Sequence, residues 1–302
     1  MATEFPVFKP LELSDREEIH RQLWDYQSEI SEYTFSNLFL WRRHYNIAWA
    51  YCRDWLVFHC RLADGREFCL QPLGPWGRAL VVRRLLEWLR DDRRQPQPSV
   101  ERADSRLLTE LADVTGVSGA ADRDHFDYVY HSARMISLEG RDLHAKRNNI
   151  NRFLRAQDFT YTEFREEHVA EARRVKREWC DWRRCRDETG AAAECAATDE
   201  ALDNFAALGL TGGVILIEGQ VAAFSFGELL NHNTAVIHIE KASPRMPELF
   251  TLVNQQFAAA AWKDTAWINR EQDLGHAGLR QAKMSYQPDH LVEKYRIGLA
   301  GA

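Results

Sequence analysis

Residues 46–73, NIAWAYCRDWLVFHCRLADGREFCLQPL, carry three apolar runs, at about 46–51, 54–61 and 66–71. Breaks at Arg53-Asp54 and Asp64-Gly65 separate them, so the pattern predicts three strands joined by turns. Upstream, SDREEIHRQLWDYQ (14–27) shows a helical stripe of Ile19, Leu23 and Tyr26. Ser14, with Glu17 three residues on, predicts a capping box at its start. Helices are also predicted at about 78–91 and 104–113, with RRQPQPSVE as a Pro-containing surface loop between them. FDYVYHSARMISL (126–138) reads as one or two strands.

The second half repeats the order of elements. A helix is predicted at 141–156, a strand at FTYTEF, and helices at about 167–185 and 198–208. GGVILIEG and VAAFSFGELL read as strands around a Gly219-Gln220 turn, and TAVIHIEKA as a third. A helix at 247–262, a strand at AWINRE, a helix at 276–285 and a terminal strand in LVEKYRIG complete the chain. Helix, strands, helix, strand in each half predicts an α+β protein built from two copies of one unit, 1–139 and 140–302.

A chain of 302 residues suits two domains of about 150 residues or one large one. Hydrophobic residues at 45% and charged residues at 28% exclude a disordered, collagen-like or purely coiled-coil chain. Lys and Arg number 39 against 45 Asp and Glu, and neither half is basic, so bulk electrostatic binding of nucleic acid or anionic lipid is not expected. No run reaches the roughly 18 apolar residues of a membrane span. The start, MATEFPVFKP, lacks the charged and apolar regions of a signal peptide. A cytoplasmic protein with no integral membrane association is expected. In that setting the six cysteines, Cys52, Cys60, Cys69, Cys180, Cys185 and Cys195, are expected to be reduced. Their spacing is not a paired CxxC pattern, so no metal site is expected.

Chemistry concentrates in three places. In the 141–156 helix the apolar stripe is Leu143, Ile150, Phe153 and Leu154, and Lys146 and Arg147 fall inside it. An unpaired charge on an apolar face is costly, so these cations either snorkel, pair with a carboxylate or line a cleft for an anionic or carbonyl-bearing ligand. Asn148, Asn149 and Asn151 are poor helix formers, a cost easier to understand if some of them bind a ligand. In TAVIHIEKA, strict alternation places Val236, His238 and Glu240 on one face. The third place is AWINREQDLGHAGLRQAKMSYQP (266–288), where Asn269 and Glu271 share one face and Arg270 takes the other. Asp273 with Gly275 and Gly278 suggests a turn into a helix N-terminus, a ready anion or oxyanion site. Leu279, Lys283 and Tyr286 share one face of the helix that follows. Phosphate-loop, nucleophile-elbow, zincin and dinucleotide-binding signatures are absent.

Residues 267–295, WINREQDLGHAGLRQAKMSYQPDHLVEKY, resemble the signature of the bacterial phosphatidylglycerol lysyltransferase C-terminal domain family. KRNNINRF (146–153), GELLNHNTAVIHIEKA (227–242) and VNQQFA (253–258) resemble it in the same order. The resemblance implies two GNAT-like acyltransferase units in tandem, with the active cleft mostly in the second. It implies transfer of an aminoacyl group from a charged tRNA, with no further cofactor required. The acceptor would be a lipid head group, a peptide or a small molecule bearing an amine or hydroxyl. In coenzyme A-dependent relatives a glycine-containing loop follows the central strand. Here that stretch is ASPRMPELF, with Pro244, Pro247 and Glu248, so aminoacyl-tRNA is preferred over acyl-coenzyme A as donor.

The catalytic candidates are therefore Glu240 or Asp273, to bind or deprotonate the nucleophile, and Arg270 and Lys283, to stabilise the oxyanion. Lys146, Arg147, Asn151, His238, Asn269, Glu271 and Tyr286 are candidates for binding substrate. KRNNINRF, HIEK and NREQD are expected to converge on one cleft in the second unit. The alternative is a non-catalytic binding module on a degenerate acyltransferase fold.

Overall fold

The computed structural model describes residues 3–184 and 189–300. In chain order the first elements are β1 (Lys9–Pro10), α1 (Arg16–Tyr26), α2 (Phe35–Trp41), β2 (Ala48–Cys52), β3 (Trp55–Arg61), β4 (Glu67–Leu70), α3 (Ala79–Asp91), β5 (Ser99–Ala103), α4 (Ser105–Glu110) and β6 (Val117–Ala121). Next come β7 (Asp127–His131), α5 (Ser132–Ser137), α6 (His144–Ala156), β8 (Thr160–Glu163), α7 (Val169–Arg183), α8 (Thr189–Asp203) and α9 (Phe205–Leu208). The last are β9 (Thr211–Ile217), β10 (Gln220–Asn231), β11 (Thr234–Ala242), α10 (Glu248–Ala261), β12 (Trp267–Asn269), α11 (Ala277–Met284), β13 (His290–Val292) and β14 (Tyr295–Leu299). Two mixed sheets flanked by helices result, the α+β class expected from the pattern.

The two compact units are 1–127 with 292–302, and 128–291. The sheets therefore divide neither at 139 nor once along the chain. β7 belongs to the second sheet, ordered β13-β7-β12-β11-β10-β9-β8, while β14 enters the first, β1-β2-β3-β4-β5-β14-β6. In the first unit Lys294 is fully buried and meets Glu32 and, at 2.7 Å, Asp127. Three distant segments are thereby tied by charges whose separation would leave partners buried and unpaired.

Several local expectations change. The α1 cap is not Ser14: Glu12 and Asp15 form the capping box of a short 3-10 turn that leads into the helix. Residues 126–138 are a strand and then a helix, because α5 turns away at Ser132 and closes on Leu138 in the left-handed region. LVEKYRIG splits between two sheets. The helix predicted at 198–208 starts earlier and breaks into α8 and α9. Cys180 and Cys195 are bonded to one another, linking α7 to α8, while Cys52, Cys60 and Cys69 are buried free thiols. The expectation of reduced thiols thus fails for that pair, because helix packing brings together residues that spacing alone does not match. Cys185 lies outside the described residues.

Candidate functional site

The second unit's site is organised by one irregularity. Along the β10–β11 ladder Phe226 pairs with Ile239 but Gly227 pairs with Ile237, which leaves His238 as an extra residue in β11. The ladder is tight here: a Cβ on Gly227 would lie 2.4 Å from the Val236 carbonyl oxygen. A bulge reverses the alternation beyond it. Ile239 therefore shares the face of Phe226, which packs on Phe164 and Phe205. Glu240 pairs with Ser225 on the other face, the one covered by α10. The expected sharing of one face by His238 and Glu240 is overturned by this residue insertion.

On the α10 face Glu240 meets Arg270 at 2.5 Å, both side chains being largely buried. One oxygen and one nitrogen are left over: Glu240 Oε1 and Arg270 Nη1 are buried without hydrogen-bond partners among the described residues. So are Ser225 Oγ, directly across the ladder from Glu240, and Asn254 Nδ2 on α10. Buried polar atoms are nearly always paired, so the two orphans on this ion pair, with Ser225 across the ladder, mark a place suited to a polar group. The Arg270 guanidinium lies 4.7 Å from the Tyr286 ring centre and 5.8 Å from that of Tyr130. Burial works against its charge, yet Glu240 outweighs burial and raises its pKa further. Tyr286 donates to Thr251 Oγ1 at 3.2 Å, and Tyr130 to the Lys283 carbonyl at 2.9 Å, which fixes both rings.

The same Tyr286 ring carries a second cation. Lys146 Nζ sits 3.6 Å from its centre and has no hydrogen-bond or ion-pair partner among the described residues. Burial, aided by the nearby charge of Arg270, lowers the Lys146 amine to about 8. A lysine in that range exchanges protons near neutral pH. Its neighbour Arg147 does not join the cluster. Its guanidinium donates to the Leu138 carbonyl at 2.5 Å and ties down the start of α6. Asn151 is exposed on the same helix.

The opposite face holds the other predicted polar groups. His238 lies between Glu271 at 2.8 Å and Glu228 at 3.0 Å, with a side chain only 2% exposed. Burial disfavours its charged form, but the two carboxylates prevail and raise it to about 9. Asn269 is buried, and its Oδ1 accepts from the Glu271 N–H at 2.8 Å in a turn that carries Glu271 into the left-handed region. This turn sends consecutive side chains to opposite faces, Arg270 to Glu240 and Glu271 to His238.

Asp273 and Lys283 hold this loop in place. Asp273 accepts from Tyr128 at 2.5 Å, from two nitrogens of Arg280 at 2.9 Å and from the Gly275 N–H at 2.9 Å. Although burial opposes its charge, these bonds hold its carboxyl well below the usual range. The Gly275 N–H, expected to face an oxyanion, is thus already bonded to an internal carboxylate. Lys283 Nζ donates to the Arg270 carbonyl. Sequence reasoning missed Ser225, Asn254 and Tyr130. Ser225 had a signal: it is a lone polar residue in an apolar run.

At the junction of β11 and α10, Pro247 precedes the first turn and Glu248 pairs with Arg152 at 3.3 Å. Among the described residues no group of three or more His, Cys, Asp or Glu side chains could hold a metal ion, and no helix is long and apolar enough to cross a membrane.

Residues 25–298 match the family model described as phosphatidylglycerol lysyltransferase, C-terminal. A conserved protein of unknown function from Bacteroides thetaiotaomicron is 34% identical with a TM-score of 0.88, over 97% of this chain and 99% of that one. The L-PGS of Bacillus licheniformis superposes with a TM-score of 0.68 over 98% of this chain and 94% of that one. At 15% identity that likeness is one of fold. An uncharacterised protein of Mycoplasmoides gallisepticum is 22% identical over 212 residues, 66% of this chain and 67% of that protein.

Proposed function

The chain belongs to the phosphatidylglycerol lysyltransferase C-terminal family, and on that premise we propose that its second unit transfers an aminoacyl group from an activated ester to an amine or hydroxyl acceptor. The observation that carries this reading is the pair of orphan atoms on one buried ion pair, Glu240 Oε1 and Arg270 Nη1. One accepts and the other donates. An aminoacyl ester offers the matching groups on adjacent carbons: an ammonium for Glu240 and a carbonyl oxygen for Arg270. A plain acyl chain would leave the Glu240 oxygen buried and unpaired, a cost of about 1–3 kcal/mol.

The acceptor's N–H or O–H gives its proton to neutral Lys146 as its nitrogen or oxygen bonds to the carbonyl carbon. Arg270 faces the negative charge that develops on the carbonyl oxygen. The ester C–O bond then breaks, and the leaving hydroxyl takes the proton back from Lys146. Asp273, Lys283, His238, Glu271 and Asn269 act through Arg270, by holding the loop that aims it. Arg147 and Asn151 have no part in the transfer.

The donor we favour is aminoacyl-tRNA, which makes tRNA a partner and the cytoplasm the place of action. Acyl-coenzyme A ranks behind it, because the proline and the paired carboxylate at the start of α10 offer little to a pyrophosphate. A lipid head group, a peptide or a small molecule serves as acceptor.

The test is transfer of radiolabelled amino acids from a charged tRNA pool to amine and hydroxyl acceptors, with acetyl-coenzyme A as the competing donor. Glu240→Gln and Arg270→Lys should each lower transfer by about a hundredfold or more, the scale of one lost oxyanion donor. Transfer that survives both substitutions, or label arriving from the thioester alone, would overturn the reading.

A further inference from the structure

The first unit contains a cleft of about 440 Å³ whose lining includes Gln22, Asp25, Tyr26, Trp76, Arg78 and Arg106. Nothing in the reading of the second unit uses it. Its walls are well bonded. The Tyr26 hydroxyl meets Asp104 Oδ2 at 2.6 Å and Arg78 at 2.5 Å, which fixes the direction of the ring's long axis. Arg106 lies 4.1 Å from that ring's centre, held there by bonds to Asp104 Oδ2 and to the Tyr26 carbonyl. A guanidinium plane is therefore fixed over an aromatic one.

The loop bearing Trp76 is equally constrained. The Gly77 and Arg78 N–H groups both donate to Glu110 Oε2, and Trp55 donates to the Pro75 carbonyl. Gly74 has φ +148°, and a Cβ there would lie 2.8 Å from the Asp54 carbonyl oxygen. Yet Trp76 itself stands 68% exposed. A rigid loop that holds a large indole in solvent beside a cleft is preorganised for a partner that covers it. Charge narrows the class of partner. Arg78 and Glu110 neutralise one another at 2.6 Å, and Arg106 is paired with Asp104. The Asp25 carboxylate and the Gln22 amide have no partner among the described residues.

We propose that this cleft binds a nucleobase carrying an exocyclic amine, as adenine, cytosine and guanine do and uracil does not. The ring would stack on the indole and on the Arg106 plane, as bases do on aromatic and guanidinium surfaces. Its amine would donate to Asp25 or to the Gln22 carbonyl. Uracil has a carbonyl oxygen where cytosine has its amine, and at that position a carboxylate cannot donate to it. The ligand is a free mononucleotide or an unpaired base of an RNA strand; both present the same ring.

The experiment is calorimetric titration of the whole protein with AMP, CMP, UMP, ribose 5-phosphate and a ribo-trinucleotide of cytosine and adenine. AMP or CMP should bind saturably and more tightly than UMP and ribose 5-phosphate. Trp76→Ala should weaken binding about tenfold, and Asp25→Asn, whose amide both donates and accepts, should narrow the gap to UMP. Both side chains are exposed, so unfolding midpoints should confirm that the variants fold. Tighter, salt-dependent binding of the trinucleotide would assign the site to an RNA strand, and equal binding to a free nucleotide. No saturable binding, equal binding of ribose 5-phosphate, or affinities untouched by either substitution would overturn the proposal. The measurement reads binding by first-unit residues, so it fails or succeeds separately from transfer at Glu240 and Arg270.

Discussion

Arg270 and Glu240 form a buried ion pair at 2.5 Å in which each partner keeps one polar atom unmatched among the described residues. Such a pair is weak as a stabiliser but sensitive to the loss of one side. Glu240→Ala should destabilise the fold by about 3 kcal/mol, because it strands a guanidinium among Tyr130, Tyr286 and the sheet. Glu240→Ala with Arg270→Met should cost less than the sum of the two single changes. Denaturant unfolding of the four proteins measures the coupling, and strict additivity would show that the pair does not interact.

Lys146 predicts a pH dependence. Its amine is lowered to about 8 from an ordinary 10.5, so the folded state releases this proton first. Transfer should climb as pH rises through about 8 and then level off, and Lys146→Met should abolish that step. Stability has the same sign: relative to Lys146→Met, the natural protein should gain stability between pH 8 and 10.5, where the unfolded chain binds more protons. A transfer profile flat from pH 6 to 9 would remove Lys146 as the base.

His238 behaves oppositely. It is raised from 6.5 to about 9 between Glu228 and Glu271, so the folded state holds its proton longer than the unfolded chain does. The resulting stability is fully present below pH 6.5 and is lost as pH rises through 9. His238→Gln should therefore be most damaging near pH 6, with a smaller deficit at pH 10. Equal deficits at both values, measured by urea unfolding, would mean that the imidazolium charge does not hold the bulge.

The Cys180–Cys195 bond closes a 15-residue separation between α7 and α8. Its reduction should cost about 3 kcal/mol by loop-closure entropy. Nearby, Trp179 and Glu194 both contact Lys241 of β11. Cys180→Ser with Cys195→Ser should lower the unfolding midpoint and make it indifferent to dithiothreitol. A natural protein whose midpoint ignores the reductant would argue that the thiols are free in solution.

The alternation and periodicity of the chain were enough to determine most elements of the second sheet, and the position of Lys146 in an apolar stripe marked it as unusual. Those signals are local: a strand or helix face repeats within a few residues, and a charge out of phase shows at once. The match of Asn269 and Glu271 to one face, with Arg270 on the other, was legible for the same reason. What only the tertiary structure decided was which neighbours these groups meet. A single extra residue at His238 separates it from Glu240, and no periodic rule detects a bulge whose cause is the β10 strand opposite. The sequence marks Asp273 as a catalytic candidate, but in the fold Tyr128 and Arg280 occupy both its oxygens. The return of β14 to the first sheet is equally silent in the sequence, because Lys294 finds Asp127 and Glu32 through space, 167 and 262 residues away along the chain.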